Sequence, residues 1–255
     1  MPASSNLPCA TTRIGAMSSA ETFPDETPTL SLCGQDFFFT GHVTSYGRVP
    51  HVYLDHDIVR FDHMNENNLT EYLVLGPKGH YFRLTRSREG DEAANTDTSN
   101  LEDYCGIVEF LDEHDVERPA FLYLGPDNTY YVRTDDGSEK WVLSEDIVRD
   151  ALQVTPTANQ SGAQSLWLGT GGSWVVQYRN GSFNFDLKGR YVALERTLEL
   201  ARDDELRISA LALDLLGDKS FAIVYDNGVV EHETGSLRDF DPTGFEVWVE
   251  EQWDL

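Results

Sequence analysis

The densest set of residues that could perform chemistry lies between positions 51 and 63. It contains His51, Asp55, His56, Asp57, Asp62 and His63. A histidine beside a carboxylate can transfer protons, so His56 with Asp62 is a candidate acid–base pair. A strand over Val49–Phe61 would place His51 and Asp57 on one face and His56 on the other. Because metal ligands must converge, this alternation argues against a metal site, and only a bend near Asp57 would bring the side chains together. The alternative is an acidic strand with partly exposed histidines.

A second motif, Thr170-Gly171-Gly172-Ser173, has the composition of a phosphate-binding loop or a nucleophile turn. Phosphate loops lead into a helix, whereas an alternating strand follows here. A nucleophile elbow needs glycine two residues after the serine, and position 175 is valine. Similar turns recur at Gly76–Gly79 and Gly125–Asn128, so the motif predicts a hairpin turn.

Four aromatic residues recur at equivalent positions, and two arginines lie close behind them. The aromatic residues are Tyr81, Tyr130, Trp174 and Phe221. Tyr130 and Trp174 are candidates for stacking on a ligand, and Arg83 and Arg133 are candidates for holding an anionic one. The alternative is that the rings pack in the core and the arginines pair with carboxylates.

These residues lie in a sequence motif that occurs four times. It reads L-x-L-G, a tight turn, an aromatic-led alternating strand, and then a glycine-containing turn. The period of two predicts half-buried strands. The pairs Asp136-Gly137, Asn180-Gly181 and Asn227-Gly228 predict type I′ turns. With a third strand after the turn, each unit is predicted to be a three-stranded antiparallel meander.

Helical connectors are predicted between the units. Ser144 is a candidate N-cap for a short helix that carries Ile147 and Ala151. A longer helix is predicted from one apolar face, formed by Tyr191, Leu194, Leu198 and Ala201. Leu101–Glu117 repeats the helical pattern and carries many acidic residues, which indicates a solvated amphipathic connector or a surface that docks on a basic partner.

The glycines of the four L-x-L-G copies, at 76, 125, 169 and 217, are 49, 44 and 48 residues apart. This spacing favours a mainly β fold with helical connectors, arranged as a propeller-like toroid of about five units. An open array of βββα units is the alternative. Residues 1–33 are predicted to be a disordered lead. Residues 34–255 are predicted to be one domain with units near 34–64 plus 240–255, 71–115, 120–153, 164–206 and 209–238.

The composition excludes several classes of partner. The formal net charge is −25, from 44 acidic and 19 basic residues. Such a surface repels phosphate backbones and anionic lipids, so neither nucleic-acid nor membrane binding is expected. The three cysteines, Cys9, Cys33 and Cys105, fit no disulfide framework or metal motif. Reduced thiols and the lack of a signal-peptide pattern predict a cytoplasmic protein, and no cofactor is predicted.

The third copy, Leu166 to Phe183, resembles a repeat in uncharacterised proteins of filamentous fungi. Those proteins carry phrases of the form L-G-x-x-G-S-W-x-V-x-x-x-D-G-S-W. The resemblance covers Tyr72 to Glu233, and copies one and four depart from it at the second turn or the following aromatic. It implies a fold and no functional site. The period is also similar to that of five-bladed propeller lectins, whose sugar-binding residues have no clear counterparts here.

Three functional hypotheses follow. The first is a non-enzymatic binding or scaffold protein that presents a groove to a protein or small-molecule partner, because every repeated residue has a structural role. The second is a small-metabolite hydrolase or isomerase with His51, His56 and Asp57 in a pocket of the irregular first unit. The third is a carbohydrate-binding lectin that uses the repeated aromatics.

Overall fold

The structure is a computed structural model, and it describes residues 10–12, 29–33, 36–40, 52–53, 68–87, 95–98, 101–153, 162–217 and 219–233. This part of the chain is mainly β. It contains sixteen strands in five small antiparallel sheets, together with three α-helices.

Each sheet is built on a three-stranded meander with the second strand in the middle. In chain order the first four sheets are β2 (Thr29–Cys33), β3 (Asp36–Thr40) and β4 (Val52–Tyr53); β5 (Asn68–Leu75), β6 (Tyr81–Ser87) and β7 (Asn95–Asp97); β8 (Phe121–Leu124), β9 (Tyr130–Arg133) and β10 (Glu139–Val142); β11 (Ala163–Leu168), β12 (Trp174–Tyr178) and β13 (Phe183–Asp186). The fifth comprises β14 (Ile208–Leu213), β15 (Phe221–Tyr225) and β16 (Val230–Glu233), with β1 (Ala10–Thr12) paired to β16. The predicted meanders are confirmed.

The turn that follows L-x-L-G has one geometry in the first three copies. The amide of the glycine donates to the carbonyl four residues later, at 2.8 Å from Gly76, 2.7 Å from Gly125 and 2.8 Å from Gly169. The third and fourth residues of each turn have positive φ, including Asp127 at 55° and Asn128 at 61°. The repeated sequence therefore encodes a repeated backbone, and the hairpin prediction for 170–173 is confirmed.

The predicted type I′ turns are wrong, because only the glycine of each pair has positive φ: 86° at Gly137, 85° at Gly181 and 75° at Gly228. The Asp or Asn before each glycine accepts, through its side-chain oxygen, the amide two residues ahead; the distance is 2.9 Å from Asp136 to Ser138. This side-chain hydrogen bond forms without a positive φ at the Asp or Asn. Each turn is therefore a three-residue loop that ends in a glycine with positive φ.

Helices connect the sheets because a three-stranded meander finishes at the end of the sheet opposite to the one where its first strand began. The first strand of the next sheet begins at that earlier end, so the connecting segment must cross the full height of the sheet. Helix α3 (Val192–Asp203) has twelve residues and spans about 18 Å, close to the roughly 17 Å of a five-residue strand. Helix α1 (Ile107–Glu113) lies in the connector 101–118, between the second and third sheets. Helix α2 (Glu145–Ile147), between the third and fourth sheets, continues as a π-helical turn, Val148–Leu152. The predicted Ser144 cap is present, with the Ile147 amide 3.4 Å from its hydroxyl oxygen.

The first strands of the five sheets contact one another in cyclic order. β2 contacts β5, β5 contacts β8, β8 contacts β11, β11 contacts β14, and β14 contacts β2. The middle strands β12 and β15 are buried at every position. The prediction of half-buried strands is therefore wrong for these two, because other elements cover both of their faces, and for β12 these include the helical turn Val148–Leu152.

Two strands lie within residues 1–33, the range that the sequence predicts to be a disordered lead. These are β1 and β2, and β2 extends the first unit upstream of position 34. The predicted contribution of 240–255 to that unit lies outside the described residues. At the N-terminal end, β1 joins the last sheet in antiparallel register, with Thr11 opposite Glu231.

The L-x-L-G glycines mark places where successive sheets approach closely. A Cβ atom at Gly76 would lie 3.0 Å from the Leu124 Cβ, and one at Gly125 would lie 2.8 Å from the Leu168 Cβ. Leu124 and Leu168 each end the first strand of the following sheet. At Gly125, glycine is therefore required by packing against the next sheet and against Thr129 Oγ1 of its own turn, 2.5 Å from a Cβ, and not by backbone conformation, because its φ is −94°.

Gly125→Ala is expected to destabilise the protein by about 1–3 kcal/mol, because the added methyl overpacks the junction between two sheets. Gly162→Ala is the matched control, since a Cβ there meets no atom within 4 Å. Urea unfolding followed by circular dichroism measures both. Equal stabilities of the two variants would contradict the close-approach role.

Candidate functional site

The candidate catalytic residues His51, His56, Asp57 and Asp62 lie outside the described residues. Of the predicted strand Val49–Phe61, the structure describes only β4, Val52–Tyr53, which pairs with β3. The acid–base hypothesis therefore stays a prediction. Within the described ranges, no group of three or more His, Cys, Asp or Glu side chains is placed to hold a metal ion.

The recurring aromatics lie in the interior. Tyr81, Tyr130, Trp174 and Phe221 are all buried, with exposed fractions between 0% and 9%. The Tyr130 hydroxyl donates to the carbonyl oxygen of Cys105 at 2.8 Å, and burial raises the pKa of Tyr130 to about 12. In this arrangement the rings of Tyr130 and Trp174 pack in the core, and ligand stacking by them stays a prediction.

Arg133 is used to join two sheets. Its Nε donates to the carbonyl oxygen of Gln164 in β11 at 2.9 Å, and its Nη1 is 3.5 Å from the carbonyl oxygen of Thr134. The guanidinium thus contacts one backbone oxygen of the neighbouring sheet and one of its own hairpin. Arg83 is partly exposed in β6, where it lies opposite Leu73 of β5 and Asp97 of β7.

The serine of the T-G-G-S turn is structural. Ser173 is fully buried, and its hydroxyl is 2.8 Å from the carbonyl oxygen of Thr170 and 2.9 Å from that of Leu187. It therefore ties the turn to the end of the same sheet. A nucleophile needs an accessible hydroxyl next to a base, and this hydroxyl is enclosed by backbone carbonyls.

Tyrosine hydroxyls join consecutive sheets at the L-x-L-G turns. Tyr104, ahead of α1, donates to the Gly125 carbonyl at 3.0 Å. Tyr191, ahead of α3, donates to the equivalent carbonyl of Asp214 at 2.6 Å and accepts from the Thr170 amide at 3.1 Å. The helical pattern places both tyrosines on apolar faces, but it does not indicate that their hydroxyls bridge two units.

Tyr123 connects two sheets that are not neighbours in the cyclic order. Its hydroxyl lies 3.3 Å from the amide of Leu213 in β14, 90 positions away, and it accepts that hydrogen bond. Tyr123 extends from β8 and is buried in the same cluster as Leu73, Leu75 and Leu213. At the level of Tyr123 the space between the first strands is therefore filled by side chains.

The most distinctive exposed feature of the described chain is the connector 101–118, called here the acidic connector. All seven of its carboxylates are exposed: Glu102, Asp103, Glu109, Asp112, Glu113, Asp115 and Glu117. Its apolar side chains Leu101, Tyr104 and Ile107 are buried against β5, β6, β8 and β9 residues of one core cluster. The rigid attachment of one face leaves a fixed array of carboxylates on the other.

One carboxylate of the acidic connector faces a histidine. Asp103 Oδ2 lies 3.2 Å from His80 Nε2, and His80 sits in the first L-x-L-G turn. The contact attaches the start of the connector to the second sheet. The remaining six carboxylates of the connector face solvent.

Within the described residues, no helix has the length and apolar character needed to cross a membrane. The longest of the three α-helices is α3, which carries charged residues on its outer face. Comparison of the chain with protein-family models, with curated proteins and with solved structures finds no match in any of the three.

Proposed function

We propose that this chain is a non-enzymatic binding or scaffold protein, built as a propeller-like toroid, that presents its outer surface to a protein partner. The main support for the proposal is that polar and aromatic side chains of the units are engaged in hydrogen bonds within the fold. Tyr104, Tyr191, Arg133 and Ser173 all bond to backbone atoms at unit junctions or turns. These groups are therefore engaged in holding the sheets together, which leaves binding to the residues that depart from the repeat.

Three features support the toroidal arrangement. The first strands contact one another in a closed cycle that includes β14 with β2. Because each unit has an odd number of strands, the chain must cross back over the sheet before the next unit begins, which explains why helices connect the units. The Tyr123 hydroxyl reaches Leu213 across the set of first strands, which a linear row of units would hold far apart.

The acidic connector is the surface best suited to a partner. Its carboxylates are fixed on a packed element, so little side-chain and backbone freedom is lost when a partner binds. A surface of this sign attracts basic proteins and accelerates their association in a salt-dependent manner. The partner is therefore proposed to be a protein with a basic surface.

The test compares affinity capture from the native cell by wild-type protein and a variant with Glu109→Gln, Asp112→Asn, Glu113→Gln and Glu117→Gln. The expected result is at least a tenfold loss of partner affinity, about 1.4 kcal/mol, with a weaker dependence on salt.

The matched control neutralises four other exposed carboxylates through Glu145→Gln, Glu199→Gln, Asp203→Asn and Asp204→Asn. It makes the same change in net charge and is expected to keep the partner. Equal losses in both variants would assign the effect to net charge, and unchanged capture by the first variant would contradict the proposed surface.

A further inference from the structure

The fifth sheet differs from the other four in having a fourth strand. β1 pairs with the outer edge of β16 in antiparallel register, with Ala10 opposite His232 and Thr12 opposite Val230. The other edge of β16 pairs with β15. β1 is therefore bonded to the last sheet, although it lies at the opposite end of the chain and is joined by residues 13–28 to the first sheet.

β1 has the same direction as the helical connectors of the other units. Because it is antiparallel to β16, it runs back toward the end at which β14 begins. In the units that contain α1, α2 and α3, a covalent helical segment makes this return crossing. At the fifth sheet, the described segment that runs in this direction is β1, which pairs with β16 without following it in the chain.

Charge favours this pairing. Among residues 1–20, Arg13 is the sole charged side chain, whereas the whole chain carries −25. β16 contributes Glu231 and Glu233, and Thr11 lies opposite Glu231 in the register. A segment without carboxylates avoids the like-charge repulsion that most of this chain would meet at that edge.

We infer that the outer edge of β16 is a strand-binding site whose ligand is β1 of this same chain, held without a covalent link to β16 and replaceable from solution by a peptide that carries the same sequence. Main-chain hydrogen bonds supply the attraction, as in other additions of a strand to a sheet edge. The tether 13–28 gives the attached segment an effective concentration in the millimolar range, on the order expected for a short linker. A free peptide therefore competes poorly with the attached segment until the tether is cut.

The test uses the full chain with a site-specific protease sequence inserted after Ser19. A fluorescent peptide of residues 1–16 is titrated into cut and uncut protein, and binding is followed by anisotropy. The expected result is at least tenfold tighter binding to the cut protein. The same peptide with Thr12→Pro is the control and should bind at least tenfold more weakly than the unmodified peptide, because Thr12 lies opposite Val230 at a hydrogen-bonded position of the register and proline removes its donor.

Equal binding to cut and uncut protein, equal binding of the proline peptide, or absence of binding to cut protein that keeps its native circular dichroism would each overturn the inference. If cutting unfolds the chain, excess peptide should restore the native spectrum, and failure to restore it would also overturn the inference. These outcomes are independent of the acidic connector, which none of the changes touches.

Discussion

Trp174→Ala is expected to lower the free energy of unfolding by about 3–5 kcal/mol, the range typical of truncating a large aromatic side chain in a core. Trp174 begins the middle strand β12, is 3% exposed, and belongs to the cluster that contains Leu166, Leu187 and Phe221. Removal of the indole leaves a cavity that the surrounding sheets, fixed by their own hydrogen bonds, fill only partly. Thermal or urea unfolding measures the loss.

Trp141→Ala is the matched control. Trp141 lies in the outer strand β10 and is only partly buried, so its truncation is expected to cost clearly less. The pair also separates the two interpretations of the recurring aromatics. A ligand-stacking role for Trp174 would give a variant of nearly native stability that has lost its ligand, and that result would contradict the core assignment.

Tyr191→Ala is the second change with a large expected effect, again about 3–5 kcal/mol, because Tyr191 fills a junction between the fourth and fifth sheets. Its ring occupies the space beside Gly169, where a Cβ would lie 2.8 Å from the ring. Its hydroxyl joins Thr170 of one unit to Asp214 of the next. The variant is expected to lose cooperativity between these units as well as stability, which hydrogen exchange can measure.

Tyr191→Phe isolates the hydroxyl from the packing of the ring. It removes the acceptor of the Thr170 amide and one donor to the Asp214 carbonyl, and we expect a loss of about 1–3 kcal/mol. Tyr104→Phe removes the hydrogen bond to the Gly125 carbonyl and is expected to cost about 0.5–1.5 kcal/mol. The two tyrosines lie at different junctions, so the double variant should show additive losses. No change in either variant would contradict the bridging role.

The local elements of this fold could be predicted because their signals are local. The L-x-L-G phrase and the alternation after it specify each hairpin, and the Ser144 cap and the apolar face of α3 specify two connectors. The second turns were mispredicted as type I′ because asparagine and aspartate also stabilise, through their side chains, a turn with one left-handed residue. Sequence alone did not distinguish these two uses of Asn-Gly.

The failed predictions depend on contacts between distant parts of the chain. Burial of both faces of β12 and β15 depends on other elements of the chain, helical connectors among them, and a pattern within one strand does not report it. The pairing of β1 with β16 joins three residues to a strand more than 200 positions away, and Ala-Thr-Thr carries only a weak strand preference. Hydrophobic periodicity also does not predict the bridging hydrogen bonds of Tyr104 and Tyr191, because their partners lie in other units. The candidate residues at 51–63 stay predictions.

The central proposal is that the units form a closed cycle, and long-range NOEs in a perdeuterated, methyl-labelled sample test it most directly. A closed cycle predicts NOEs from β2 to both β5 and β14, together with NOEs between β11 and β14. A spectrum with contacts between β2 and β5 but none between β2 and β14 would indicate an open row of units and would contradict the proposed toroid.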